Sequence, residues 1–139
     1  MALQLAAQNN DGLAAVVSFY GVYDFNAMVT DASPRSLLVR LFRRTELNDA
    51  AREELGRYSP LQRAHKDMPP ILLVNGTGER LWAQAQTFDH RLGELGVKHD
   101  TIALEGAPHG MENWEGHPEW MFYKDRVVSW IRQVASGGR

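Results

Sequence analysis

Cysteine is absent from all 139 residues. Its absence excludes a disulfide frame, a thiolate metal site and a cysteine nucleophile, and it fits a reducing, cytoplasmic setting. Also missing is any apolar run approaching the roughly 18–20 residues that span a bilayer. The N-terminus lacks the basic start and cleavage site of a signal peptide, so a soluble protein is expected. Charge of one sign does not dominate: the net charge is −2, and the basic residues are scattered apart from Arg40, Arg43 and Arg44. Nucleic acid and anionic membrane are therefore not expected as partners. Repeats and low-complexity segments are missing too. What remains is an ordinary globular composition, 44% hydrophobic and 23% charged, in one domain that is short for a complete doubly wound sheet.

Hydrophobic patterning divides the chain into helices and strands. Met1–Gln8 is rich in strong helix formers and is stopped by Asn9-Asn10-Asp11-Gly12. Eight residues without an N-cap are too short to hold as a helix alone, so this one must pack or continue something longer. Ala14–Tyr20 reads as a buried parallel strand closed by Gly21. Ser33 as N-cap and Pro34 at the first helical position start a helix whose Leu37, Leu38, Leu41 and Phe42 line one face. Asn48 caps a second short helix to Leu55, ended by Gly56, and 34–58 together read as a helical, cap-like insertion. Ser59-Pro60 marks a turn.

Ile71–Val74 is the second strand, and a helix from about Ala83 to Leu95 follows it. Gly96-Val97 then has the pattern of a Schellman ending. His99–Leu104 is the third strand, with Ile102 and Leu104 on one face. A final helix from about Pro118 to Ala135 carries a stripe of Trp120, Tyr123, Val127, Trp130, Ile131 and Val134. Strands alternating with helices predict an α/β fold, with right-handed βαβ units around a three-stranded parallel sheet flanked by helices.

Ligands in such sheets bind beyond the carboxyl ends of the strands, and two loops there carry chemistry. Asn75-Gly76-Thr77-Gly78-Glu79-Arg80-Leu81 follows the second strand, and Gly106-Ala107-Pro108-His109-Gly110 follows the third. Read alone, His109 is either a base oriented by an acid or a turn histidine bonded to its own loop. Glu79 is either that acid or a solvated carboxylate paired with Arg80, and Glu112 is the second candidate partner for the histidine. Gly76-Thr77-Gly78 lacks the Gly-Lys-Ser/Thr ending of a phosphate loop; its glycines let the chain turn after the strand. His65, His90, His99 and His117 lack the spacing and third ligand of a zinc site, so no metal is expected. Asp24 reads as a helix cap.

In order and spacing these segments resemble the C-terminal half of an α/β-hydrolase, in its esterase/lipase and prolyl-oligopeptidase-like branch. There a strand ending in His-Gly-Thr-x-Asp-x-x-Val carries the acid, and one ending in Gly-x-x-His-Gly carries the histidine. Met1–Ala6 is similar to the helix after Ser-x-Gly-Gly, Val17–Gly21 to the next strand, and Ser59–Leu72 to the approach to the acid-bearing strand. The resemblance implies that His109 is the catalytic base and that Glu79 takes the acid's place. The histidine would accept a proton from a nucleophile and pass it to the leaving alkoxide, while the carboxylate fixes its tautomer. Trp82 and Trp114 are candidate walls of a substrate pocket, with plain packing as the other reading. No cofactor is implied.

The sequence departs from that pattern in several places. Glutamate in place of aspartate moves the carboxylate by roughly 1.5 Å, one carbon–carbon bond. Asn75 stands where a histidine is usual, and Trp82 where a small apolar residue is usual. No Gly-x-Ser-x-Gly elbow occurs, and none of Ser18, Ser33, Ser36, Ser59, Ser129 and Ser136 is placed as an exposed nucleophile.

The resemblance thus implies a partial α/β-hydrolase fold, the last three of about eight strands in one truncated domain over 1–139. Its first strand would expose an unpaired edge, a pairing hazard that self-association relieves. A homo-oligomer joined through the sheet edge or face is expected. Two functions are open. One is a weak esterase on short activated esters, with His109 as general base, an effect worth about 10²–10⁴-fold. The other is a catalytically inactive, truncated remnant that serves as a binding or oligomerisation module.

Overall fold

Three short extended segments, the first two rich in branched apolar residues, pair side by side in a computed structural model that describes residues 2–8, 12–29 and 37–137. β1 (Val16–Phe19), β2 (Ile71–Gly76) and β3 (His99–Leu104) form a parallel sheet in the order β1-β2-β3. Val16 lies opposite Ile71, and Ile71 opposite His99, so the three strands end at one rim. β2 is central and buried along its whole length, which is why it reads as an uninterrupted apolar run.

Two layers cover the sheet. On one side α1 (Ala2–Ala6), α5 (Pro60–Arg63) and α6 (Trp82–Glu94) meet Val16, Ile71 and Leu73; Phe88 and Leu92 are fully buried there. On the other side α7 (Phe122–Ser136) brings Tyr123 and Trp130 onto Leu72, Val74, Ile102 and Leu104. A satellite cluster joins α2 (Phe25–Met28), α3 (Leu37–Phe42) and α4 (Asp49–Tyr58) through Val29, Ala51 and Leu55, with Phe25 and Phe42 against them.

Local signals explain most element ends. Asn48 accepts from the Ala51 amide at 3.0 Å and caps α4. Asp24 accepts from the Asn26 amide at 2.9 Å and caps α2, a single helical turn that the apolar pattern does not announce. α6 ends in a Schellman motif: Val97 N–H donates to Leu92 and Gly96 N–H to Gly93, both at 3.0 Å, with Gly96 at φ +70°. The expected cap at Ser33 and Pro34 lies outside the described residues.

Four differences from the sequence reading have physical causes. β1 stops at Phe19 because Tyr20 turns into the left-handed region, φ +38°. β2 runs two residues past Val74, since Asn75 and Gly76 pair with Ala103 and Leu104. α7 starts at Phe122 rather than near Pro118, because residues 117–121 form tight turns, Trp120 N–H donating to His117 at 3.0 Å. Ile131 is 45% exposed and drops out of the expected stripe; it sits beside Trp130, which takes the inward position.

Candidate active site

The loops after β2 and β3 are clasped backbone to backbone. Thr77 N–H donates to Leu104 and Gly78 N–H to Ala107, while Gly106 N–H donates to the Thr77 hydroxyl at 2.8 Å. A Cβ at Gly76 would run into the Ala107 carbonyl, and one at Gly78 into that of Gly106. The two glycines are needed for close approach; neither is in the left-handed region. This differs from the turning role that the sequence suggested.

The clasp brings Glu79 and His109 together. Glu79 Oε2 accepts a hydrogen bond from His109 Nδ1. A carboxylate only accepts, so Nδ1 carries the proton and Nε2 is left as the nitrogen that can take one. The other carboxylate oxygen, Oε1, accepts from Asn75 Nδ2 at 3.2 Å. The Glu79 side chain is 3% exposed, whereas that of His109 is 54% exposed. The carboxylate is thus sheltered and the imidazole faces solvent, the order a base–orienter pair would require. Among the described residues no ion pair joins Glu79 to Arg80, and Glu112 does not take the partner's place.

The histidine loop is held from below. Trp114 Nε1 donates to the Pro108 carbonyl at 2.7 Å, Asn113 Nδ2 to the His109 carbonyl at 2.6 Å, and Trp120 Nε1 to the Glu105 carbonyl at 2.9 Å. The Tyr20 ring stands edge-on to the imidazole, centroids 4.8 Å apart, and edge-on to Trp114 at 5.7 Å. A cleft of about 580 Å³ opens beside the pair, lined by Val22, Met28, Arg80, Leu81 and Pro108 with Gly78, Glu79 and His109.

No protein-family model and no curated protein sequence matches the chain. Solved structures do. The chain overlays a truncated form of a carbohydrate esterase from gut microbiota with a TM-score of 0.68 at 23% identity, covering 88% of this chain and 43% of that one. An acetyl ester-xyloside bifunctional hydrolase from Caldicellulosiruptor lactoaceticus gives 0.69 at 15% identity, covering 95% and 52%. A puromycin-hydrolysing peptidase of Mycobacterium tuberculosis gives 0.65 at 20% identity, covering 78% and 16%. The fold is α/β-hydrolase-like. Because esterases and a peptidase share it, the likeness specifies the architecture and not a branch. The chain spans about half or less of the length of these three proteins.

Within this hydrolase-like frame the two tryptophans sit away from the cleft. Trp114 is fully buried between Tyr20 and Tyr123 and cannot touch a substrate, so the pocket-wall role expected of it is corrected to support of the histidine loop. Trp82 opens α6 and packs against the α6 face of the core with Leu61 and Leu95; it is not among the residues lining the cleft. Two residues gain importance instead. Asn75, which looked like a departure, touches the acid. Tyr20, which looked like the end of a strand, touches the base. Their only sequence signal is position, at strand carboxyl ends.

Among the described residues no three His, Asp or Glu side chains cluster closely enough for a metal ion. None of their helices is long and apolar enough to cross a membrane.

Proposed function

We propose that this chain carries the acid-and-base part of an ester-cleaving site, acting on short activated carboxylic esters. His109 Nε2 takes a proton from the attacking oxygen and returns it to the leaving alkoxide. Glu79 holds the tautomer and offsets the imidazolium charge that forms meanwhile. The observation that carries this reading is the pairing of a sheltered carboxylate with an exposed imidazole at the mouth of a cleft. Fold likeness to two ester hydrolases agrees with it.

A second reading, a non-catalytic binding or oligomerisation module, draws on a different observation. The residues lining the cleft include no serine, threonine or cysteine, and Ser18 is engaged with Tyr23 at 3.3 Å. A nucleophile is thus not among the residues lining the cleft. We further propose that two copies associate through the open edge of β1.

Hydrolysis of p-nitrophenyl acetate by wild type and His109→Ala tests the catalytic reading. The wild type should exceed the variant by about a hundredfold or more, the low end of the range for general-base assistance being about 10². Equal rates would remove the catalytic reading and leave the binding module. Labelling with a fluorophosphonate, followed by mapping, then separates a serine nucleophile from water.

A further inference from the structure

We propose that Asn75 is a positioning residue that aims the Glu79 carboxylate at His109; the inference rests on the reading of that pair as acid and base. Asn75 is fully buried, near the end of the central strand, four residues before the acid. Its amide is engaged at both ends. Nδ2 donates to Glu79 Oε1 at 3.2 Å, and Oδ1 accepts from the Tyr23 hydroxyl at 3.2 Å. The Tyr23 hydroxyl has one proton, spent on Asn75, so the Ser18 hydroxyl at 3.3 Å is the donor on its other side.

The result is a directed chain of hydrogen bonds: Ser18 to Tyr23, Tyr23 to Asn75, Asn75 to one oxygen of Glu79, with His109 on the other. Every donor and acceptor along it is specified, so the Asn75 amide cannot flip without losing two bonds at once. The Tyr23 end is anchored in the core. Its ring stacks on Phe88 with centroids 4.9 Å apart, and Gln84 Oε1 accepts from the amides of Tyr23 and Asp24 at 3.1 and 2.9 Å. A carboxylate on a glutamate arm has one more rotatable bond than on an aspartate. The clamp on Oε1 removes that freedom and leaves Oε2 for the imidazole. Satisfaction of a buried amide would need only the Tyr23 bond and a water; reaching the acid as well is what makes Asn75 part of the site's geometry.

The test reads the tautomer of His109, which a merely structural role would not move. Long-range proton–nitrogen correlation spectra report which ring nitrogen is protonated in the neutral imidazole. Wild type should show the Nδ1–H form alone, and Glu79→Gln should show a mixture. The paired variant Asn75→Leu/Tyr23→Phe removes the amide and the phenol that meet each other, frees Glu79 Oε1 and the Ser18 hydroxyl of their partners, and is read only where circular dichroism shows it folded. Asn75→Ser keeps a hydroxyl for Tyr23 yet is too short to reach the acid. Either variant should show mixing like that of Glu79→Gln. A pure Nδ1–H form in both folded variants, with mixing in Glu79→Gln, would overturn the role of Asn75 and leave the base–acid pair standing. No change in Glu79→Gln would overturn the pair itself.

Discussion

Glu79 is one methylene longer than the aspartate of the resembling pattern, and its surroundings account for the extra length. The side chain is inward, and its two oxygens serve two partners, Asn75 and His109. Glu79→Asp withdraws the carboxylate by roughly 1.5 Å, so one contact is lost. We expect His109-dependent ester hydrolysis to fall by at least tenfold in Glu79→Asp with KM little changed, since the acid acts on the transition state more than on binding; equal kcat would show that the acid does not orient the base. Tyr23, farther along the same chain of bonds, gives a second prediction. Burial pushes its phenol up from 10.0 to about 12, with the nearby Glu79 charge adding to the rise and hydrogen bonds to Ser18 and the Gly21 backbone opposing it. Below pH 10 the folded and unfolded chains both keep this proton. Between about pH 10 and 12 only the unfolded chain releases it, so stability falls as pH rises, by about 2–3 kcal/mol in all. Urea unfolding of wild type and Tyr23→Phe across this window should show the decline reduced by that amount in the variant.

At the scale of elements, the site exists because two strand-end loops lie in backbone contact. Adding a methyl at Gly78 places it against the Gly106 carbonyl, which is main chain and cannot swing aside. Gly78→Ala should cost about 1–3 kcal/mol, the range for overpacking, and should lower ester hydrolysis by parting the loops. Thr77→Val orphans the Gly106 amide and should cost about 1 kcal/mol while leaving the loops in place. Chemical denaturation separates the two. This clasp was half legible in the sequence. The strands and the long helix α6 follow from apolar periodicity and the Gly96 stop, while the resemblance singles out Glu79 and His109 at their loop positions. The contact between Gly78 and Gly106 does not, because it depends on how closely two loops thirty residues apart approach. For the same reason Asn75 reads as a loop residue: a polar side chain ends an apolar run unless a partner such as Tyr23, fifty-two residues earlier, is known to meet it. Trp114 misleads in the opposite way, since large rings near a histidine suggest a pocket wall, while burial under the loop is what the indole N–H bond to Pro108 requires.

For the whole molecule, the sheet has one helical layer on each face and, among the described residues, no strand beyond β1 or β3. No strand among the described residues pairs with the outer edge of β1. Val16 and Tyr20 direct their N–H groups to Pro70 and Val74 on the β2 side, so by alternation Val17 and Phe19 turn theirs outward. Both side chains are half-buried against the α7 face, leaving the backbone groups available. A row of unpaired donors and acceptors on an apolar strand invites another strand, and a two-fold axis would place β1 of a second copy antiparallel to it. Light scattering after gel filtration should then give a mass near twice 15.7 kDa at tens of micromolar protein. Val17→Pro removes an outward donor without touching a bond to β2, as proline is tolerated on an edge. This variant should keep its circular dichroism and run as a monomer. A wild-type monomer at every concentration would mean that the edge stays open to water, and the dimer proposal would be withdrawn while the Glu79–His109 pair, carried by the loops after β2 and β3, would be judged by its own tests.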